Sequence, residues 1–303
     1  MGKIELTLLG TSAGVPTQKR SHPCIYLSYT GEKKFCFLFD CGEGTQRQIF
    51  FTHLNFMKIS EIFITHWHGD HYLGLPGLIE TMRFENRTKP LTIYSPEPAR
   101  VKKLLSSGYP SHSFKIIHKF VPVSGQKITA LLETDDFRIA SIPVKHTVPC
   151  VAYALIEKDR LRIDKKKLKD AGLPIQGIMY GELKRKGKVF FKGKEITYKD
   201  ICSVHKGKKV VYSGDTKICD NLIKIADKAD LLIQDCTYFD EDDFEDYGHA
   251  SFSDVLALSK STRIKRIILT HISRRYKSAE ELQEKIKNNP CMEIAKDFMK
   301  VTV

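Results

Sequence analysis

The densest group of potential metal ligands in this 303-residue chain is the segment THWHGDH at residues 65 to 71. It follows the β-patterned run EIFIT and holds three imidazoles and one carboxylate. Side chains alternate along an extended segment, so His66 and His68 can reach one ion from the same side. Gly69 then lets the backbone turn and direct Asp70 and His71 toward a second ion. The spacing predicts two metals, although a lone pair of histidines is more often a chance surface grouping.

Three more donors stand where β-patterned runs end: His146 after FRIASIPVK, Asp215 in YSGDT and His271 at the end of RIILTH. Taken singly, such a histidine is more often structural, and a Gly-Asp pair is more often a turn. Zinc normally takes four or five ligands, so the cluster at residues 65 to 71 needs donors of this kind. We expect one ion to be held by His66, His68 and His146, a second by Asp70, His71 and His271, and both to be bridged by Asp215.

Two divalent ions about 3.5 to 4 Å apart lower the pKa of a shared water and stabilise charge on the attacking and leaving oxygens of a phosphodiester. In-line hydrolysis is therefore the reaction that this pattern favours. Asp70 is expected to accept the proton of the attacking water as well as to bind metal. Asp40 and Glu43 of DCGEG either accept N–H bonds from ligand imidazoles or are acids at a helix N-terminus.

The rest of the chain mixes the two periodicities. KIELTLLG, CIYLSY, KFCFLFD, KKVVY, DLLIQD and RIILT predict strands, and PGLIETMRF, PARVKKLLSS, DNLIKIADKA, SFSDVLALS and AEELQEKIKN predict helices. The class is α/β, and residues 1–303 are interpreted as one domain. Residues 156–208 lack sustained periodicity and are interpreted as an inserted arm.

Most of the excess positive charge lies in that arm. The chain has a net charge of +13, and residues 158 to 209 hold 17 Lys or Arg against six Asp or Glu. A charge run is often only a solvated face. The aromatic residues Tyr180, Phe190, Phe191 and Tyr198 among the charges favour instead a surface that binds a polyanion.

Composition sets the remaining expectations. The beginning of the sequence lacks a signal-peptide pattern, and no apolar run reaches the length of a membrane span, so no membrane partner is expected. Eight cysteines are scattered without a CxxC pair, which is typical of reduced thiols. We expect a cytoplasmic protein.

The ligand pattern resembles the metallo-β-lactamase superfamily, and within it the tRNase Z family of tRNA 3′-processing endonucleases. FDCGEGTQRQ at 39 to 48, YSGDT at 212 to 216, YGHAS at 247 to 251 and LTHISRRY at 269 to 276 carry the narrower resemblance. It implies a four-layer αβ/βα sandwich with an inserted flexible exosite arm, two Zn²⁺ per subunit with Mn²⁺ as the alternative, and a homodimer. It also implies hydrolysis of precursor tRNA after the discriminator nucleotide, which leaves a 3′-hydroxyl on the tRNA and a 5′-phosphate on the trailer.

The resemblance further assigns catalytic and substrate-binding residues. His249 would donate a proton to the leaving 3′ oxygen and be oriented by Asp235, which stands where the family motif has glutamate. Precursor tRNA would contact a loop near the N-terminus, the tip of the arm and the LTHISRRY motif, through Lys19, Arg20, Gly172, Leu173, Pro174, Gly177, Arg274 and Arg275.

Two other functions remain open from the residues alone. The same dinuclear site could hydrolyse a small phosphodiester, a thioester or a lactam, which the basic arm disfavours. The chain could also be a non-catalytic RNA-binding subunit, which the complete set of ligands disfavours.

Overall fold

The computed structural model describes residues 2–106, 114–170, 172, 183, 185, 187–191, 193–240 and 247–303. The chain divides into two compact units. The larger contains residues 2–156 and 208–303, and the smaller contains residues 157–207. The larger unit carries all seven residues predicted as metal ligands.

The first sheet of the larger unit consists of β1 (Lys3–Gly10), β2 (Cys24–Thr30), β3 (Lys34–Phe39), β4 (Glu61–Phe63), β5 (Leu91–Ser95), β6 (Ile116–Phe120) and β18 (Met299–Thr302). The strand order is β18-β1-β2-β3-β4-β5-β6. Pairing is antiparallel from β18 to β3 and parallel from β3 to β6. The carboxyl ends of β3, β4 and β5 therefore lie at one edge.

The second sheet consists of β7 (Thr129–Glu133), β8 (Phe137–Val144), β9 (Cys150–Glu157), β14 (Lys209–Tyr212), β15 (Leu231–Asp235), β16 (Ile267–Thr270) and β17 (Met292–Ile294). The strand order is β17-β16-β15-β14-β9-β8-β7. The four strands from β14 to β17 are parallel, so their carboxyl ends also share one edge.

The described helices are α1 (Thr45–Phe50), α2 (Gly69–Tyr72), α3 (Leu75–Phe84), α4 (Pro98–Leu105), α5 (Lys165–Asp170), α6 (Asp220–Ala226), α7 (Phe252–Ser261) and α8 (Ala279–Ile286), with one 3₁₀ turn at Phe56–Lys58. A capping box between Ser251 and Asp254 starts α7. Each of the five helical patterns read from the sequence corresponds to one of these helices.

Three buried clusters define the layers of the larger unit. One lies between the sheets and includes Leu6, Phe37, Phe137 and Tyr153. A second joins the first sheet to α1, α3 and α4, and a third joins the second sheet to α6, α7 and α8. The order helix, sheet, sheet, helix confirms the predicted αβ/βα sandwich.

The smaller unit is more regular than the sequence indicated. β10 (Arg160–Ile163) pairs with β13 (Cys202–His205), and β11 (Lys188–Phe191) pairs with β12 (Lys194–Thr197), both antiparallel. Leu168, Leu183, Val189, Ile196 and Ile201 form a small buried cluster of its own. These strands were not predicted from the sequence because each has only four residues and lysines interrupt the apolar positions.

None of the described helices is long and apolar enough to cross a membrane. All eight cysteines are unpaired, and six of them are buried.

Candidate metal centre

The predicted ligands follow the ends of strands from both sheets. The segment at residues 65 to 71 begins two residues after β4, and His146 follows β8. Asp215 and His271 follow the parallel strands β14 and β16. Because these ends converge, residues far apart in sequence form one polar cluster at the edge of the sandwich.

The first group of donors contains His66, His68, His146 and Asp215, whose ligand atoms all lie within 4.8 Å of one another. The Nδ1 atom of His68 lies 3.1 Å from Nε2 of His66 and 3.1 Å from Nε2 of His146. Each neutral imidazole has only one N–H group, so the three nitrogens that face one another here cannot all be joined by hydrogen bonds. A cation between them would use all three lone pairs.

The second group contains Asp70, His71, Asp215 and His271, again within 4.8 Å. The Oδ2 atom of Asp215 lies 3.2 Å from Nε2 of His71 and 3.1 Å from Nε2 of His271. The same oxygen lies 3.6 Å from Nε2 of His66 in the first group. Asp215 therefore stands between the two groups.

Hydrogen bonds fix the orientation of two of these imidazoles. Nδ1 of His71 donates to Oδ2 of Asp40 at 2.7 Å, and Nδ1 of His146 donates to the carbonyl of Gly248 at 2.9 Å. Because a carboxylate or a carbonyl can only accept, both rings carry their proton on Nδ1. Nε2 of His71 is completely buried with no hydrogen-bond partner. Such an atom is costly unless a cation or other partner satisfies it, so the residues fit a metal.

Charge complements this geometry. Burial lowers the pKa of His66, His68 and His146, which favours the neutral imidazole that binds metal. Burial alone would raise the pKa of Asp70, but His71 and a hydrogen bond from His271 bring it below its usual range. The first group therefore offers neutral imidazoles. Burial alone would also lower the pKa of His71, but Asp215, Asp70 and Asp40 raise it well above its usual range, so a cation in the second group would displace a proton from that ring.

His249 and Asp235 form a pair beside the second group. Nδ1 of His249 lies 2.9 Å from Oδ2 of Asp235, so the aspartate reaches the imidazole although it is one methylene shorter than glutamate. Burial alone would lower the pKa of His249, but the charge of Asp235 and its hydrogen bond raise it to about 9. The imidazole is therefore held protonated, with Nε2 as the nitrogen left to act on a substrate.

Asp40 and Glu43 have different surroundings. Asp40 is fully buried and accepts from His71 as well as from the Tyr212 hydroxyl, at 2.8 Å. The exposed Glu43 carboxylate lies 3.7 Å from Nδ1 of His22, which is not a predicted ligand. Tyr212 and the Gly248 carbonyl were missed by sequence analysis, since neither has a recognisable spacing to the residue it contacts.

The predicted substrate residues near the N-terminus line a cavity of about 550 Å³, together with Arg274, Lys277 and Lys296. Lys19 lies in its wall, whereas Nη1 of Arg20 donates to Oγ1 of Thr11 and to the carbonyl of Ala295. These two hydrogen bonds of the Arg20 guanidinium hold the loop against neighbouring segments of the chain. The charged groups of the cavity are mostly cationic, which suits a phosphate-bearing ligand.

The other predicted substrate residues are partly described. Arg275 lies over the ring of Tyr238, 6.0 Å from its centroid. In the smaller unit, Gly172 has a positive φ of 70° that suits a turn. Leu173, Pro174 and Gly177 lie outside the described residues.

The chain is similar to two family models and to several ribonuclease Z sequences. Residues 4–165 match the family model of the anti-Pycsar protein Apyc1, and residues 201–272 match that of a β-lactamase superfamily domain. Ribonuclease Z of Methanothermobacter thermautotrophicus is 40% identical, over 99% of this chain and 97% of that protein. Ribonuclease Z of Thermococcus kodakarensis is 38% identical, over 94% and 88%.

Solved structures agree with these similarities. The short form of human tRNase Z has a TM-score of 0.68 and 27% identity, with 98% of each chain covered. The metallo-β-lactamase fold protein YhfI from Bacillus subtilis has a TM-score of 0.69 at 19% identity, with 100% of each chain covered, which supports the fold alone.

Proposed function

The chain belongs to the ribonuclease Z family and is therefore a tRNA 3′-processing endoribonuclease, and we propose that it works as a dinuclear metal hydrolase. It removes the 3′ trailer from precursor tRNA after the discriminator nucleotide, leaving a 3′-hydroxyl on the tRNA and a 5′-phosphate on the trailer. The observation that carries the proposed mechanism is that the seven predicted ligands form two four-donor groups that share Asp215. A third group of the same size joins Asp215 and His271 to the pair of Asp235 and His249.

We propose zinc as the metal, with manganese as the alternative, because imidazole nitrogens and carboxylate oxygens are suitable ligands for both. One ion would be held by His66, His68 and His146, the other by Asp70, His71 and His271, with Asp215 as the shared ligand. Such a pair supplies Lewis-acid stabilisation of the attacking and leaving oxygens of the phosphodiester.

The protein's own groups would move the protons. The Asp70 carboxylate, at the edge of the second group, accepts the proton of the attacking water. His249, held protonated by Asp235, donates a proton from Nε2 to the leaving 3′ oxygen. The 2.9 Å contact between Nδ1 of His249 and Oδ2 of Asp235 keeps that nitrogen oriented.

Recognition of tRNA would rest on phosphate contacts. Residues 157–207 form a separate lysine-rich unit, which suits a clamp that reads the backbone of a structured RNA without reading its bases. Lys19 and Arg274, in the wall of the cationic cavity, would contact the RNA near the cleaved bond. Arg20, Arg275, Gly172, Leu173, Pro174 and Gly177 remain further candidates.

We also propose a cytoplasmic homodimer. Phe50 and Phe51 at the end of α1 are 60% and 59% exposed, and their rings pack against Phe56 and Phe298. An aromatic patch of this kind on the surface is typical of a protein interface.

The test is cleavage of a 3′-extended tRNA transcript by purified protein loaded with zinc or with manganese. Asp70→Ala should abolish the cut, and Asp135→Asn, in the exposed turn between β7 and β8, should leave it unchanged. Mapping of the product ends should give one cut after the discriminator nucleotide. An intact transcript beside hydrolysis of bis(p-nitrophenyl) phosphate would favour a small phosphodiester as the substrate.

A further inference from the structure

Thr65 lies between a buried carboxylate and a predicted metal ligand. Its hydroxyl donates to Asp40, at 2.9 Å from Oδ2, and its Oγ1 lies 3.0 Å from Nδ1 of His66. A hydroxyl has one hydrogen to donate, and the Thr65 hydroxyl donates it to the Asp40 carboxylate. The contact with His66 can therefore form only if Nδ1 of the imidazole is the donor.

Thr237 has the same surroundings on the second sheet. Its hydroxyl donates to Oδ1 of Asp235 at 2.8 Å, and its Oγ1 lies 2.9 Å from Nδ1 of His271. The same count of protons places a hydrogen on Nδ1 of His271. Its Nε2, 3.1 Å from Oδ2 of Asp215, is then the nitrogen that can give up its proton and bind a cation in the second group of donors.

The two arrangements stand at equivalent places in the two sheets. Asp40 follows β3 while His66 follows the neighbouring parallel strand β4, and Asp235 ends β15 while His271 follows its parallel neighbour β16. Each aspartate also accepts directly from another imidazole, Asp40 from His71 and Asp235 from His249. One buried carboxylate in each sheet thus orients two imidazoles, one directly and one through a threonine hydroxyl.

We propose that Thr65 and Thr237 are paired positioning residues that fix the Nδ1–H tautomer of His66 and His271 and so present Nε2 to the metals. The proposal rests on the proposed roles of these histidines as ligands. It also ties the predicted proton donor His249 and the ligand His271 to the same carboxylate, through opposite oxygens of Asp235. The alternative is that the two threonines only fill space, since both are buried.

Valine distinguishes these roles because it keeps the shape of threonine and removes the hydroxyl. Thr65→Val and Thr237→Val should weaken zinc binding by roughly 10- to 100-fold, as is usual when a partner of a ligand imidazole is lost. Thr65→Ser and Thr237→Ser should stay close to the wild type because they keep the hydroxyl. Thr7→Val, at a similarly buried threonine in the middle of β1, is the matched control.

The measurements are the zinc dissociation constant, from competition with a chromogenic chelator, and imidazole ¹⁵N shifts of the metal-free protein. The shifts should show Nδ1–H for His66 and His271 in the wild type, and a loss of that preference in the valine variants. Zinc affinities of the valine variants equal to that of Thr7→Val, or an Nε2–H tautomer in the wild type, would overturn the proposal. Wild-type protein that binds no zinc would contradict the proposed metal centre, and the ¹⁵N shifts would still decide the roles of the threonines.

Discussion

Asp40→Asn should remove one metal ion without unfolding the protein. The wild-type carboxylate accepts from the Thr65 backbone N–H at 2.8 Å, from Nδ1 of His71 at 2.7 Å and from the Tyr212 hydroxyl at 2.8 Å. An asparagine can keep its carbonyl toward both the backbone N–H and the hydroxyl of Thr65, as Oδ1 of Asp40 does, so the contact of Thr65 with His66 is retained. Its amide then places a donor against Nδ1 of His71, where an acceptor is needed.

His71 can restore that contact only by moving its proton to Nε2, the atom that faces Asp70 and Asp215. A protonated Nε2 cannot bind metal. A hydrogen bond to a charged group contributes about 1.5 to 3 kcal/mol, so zinc affinity at the second group should fall by roughly 10- to 150-fold.

Inductively coupled plasma mass spectrometry after dialysis against a weak chelator should show two zinc ions per wild-type chain and close to one in Asp40→Asn. Tyr212→Phe removes a hydrogen bond to the same oxygen but leaves the His71 tautomer unchanged. It should cost about 1 kcal/mol of unfolding free energy and keep both ions. An Asp40→Asn protein that retains two ions with wild-type affinity would refute the reasoning.

Three further predictions test the arm, the proton donor and the packing of the site. Replacing residues 160–205 by a short Gly-Ser linker should lower kcat/KM for precursor tRNA by about 100-fold or more, because the phosphate contacts are lost. A small phosphodiester should still be hydrolysed. Equal losses on both substrates would contradict a clamp. His249→Asn should lower single-turnover cleavage by about 10²- to 10⁴-fold with zinc content unchanged, and a loss of zinc would instead identify a ligand. Gly42→Ala places a Cβ 2.1 Å from the carbonyl oxygen of Asp70, so cleavage should fall by about 10²-fold. The control is Gly14→Ala, whose Cβ meets no atom within 4 Å and which should leave the cleavage rate unchanged.

The predicted ligands could be found from sequence because each belongs to a local pattern that ends a strand. Residues 65 to 71 supply four donors at once, and the other three each follow a β-patterned run that predicts a strand. The strand order that brings the seven residues together is seen in the structure, whereas the residue patterns alone predicted only an α/β class. Their roles as metal ligands stay a prediction for the zinc measurements to decide.

The end of β4 shows why element boundaries were harder to predict. The run EIFIT predicted a strand as far as Thr65, but the strand ends at Phe63. The backbone N–H of Thr65 donates to the Asp40 side chain instead of a neighbouring strand. A side chain that competes for a backbone donor depends on tertiary structure and has no periodicity.

The partners that orient the imidazoles were missed for a related reason. The carbonyl of Gly248 has no sequence signature, and Tyr212 is 172 residues from the aspartate that it contacts. Thr65 and Thr237 are each close in sequence to one partner, but only the packed structure shows that each hydroxyl joins a carboxylate to an imidazole.

The placement of donors on both sheets has a consequence for synthesis of the protein. His66, His68, Asp70 and His71 are made early, Asp215 only after the smaller unit, and His271 only after β16. Neither group of four donors is complete until strands from both sheets have formed and packed together. A ribosome-bound chain that has not yet exposed β16 therefore lacks a full set of ligands, and the hydrolytic centre can form only once most of the sandwich is in place.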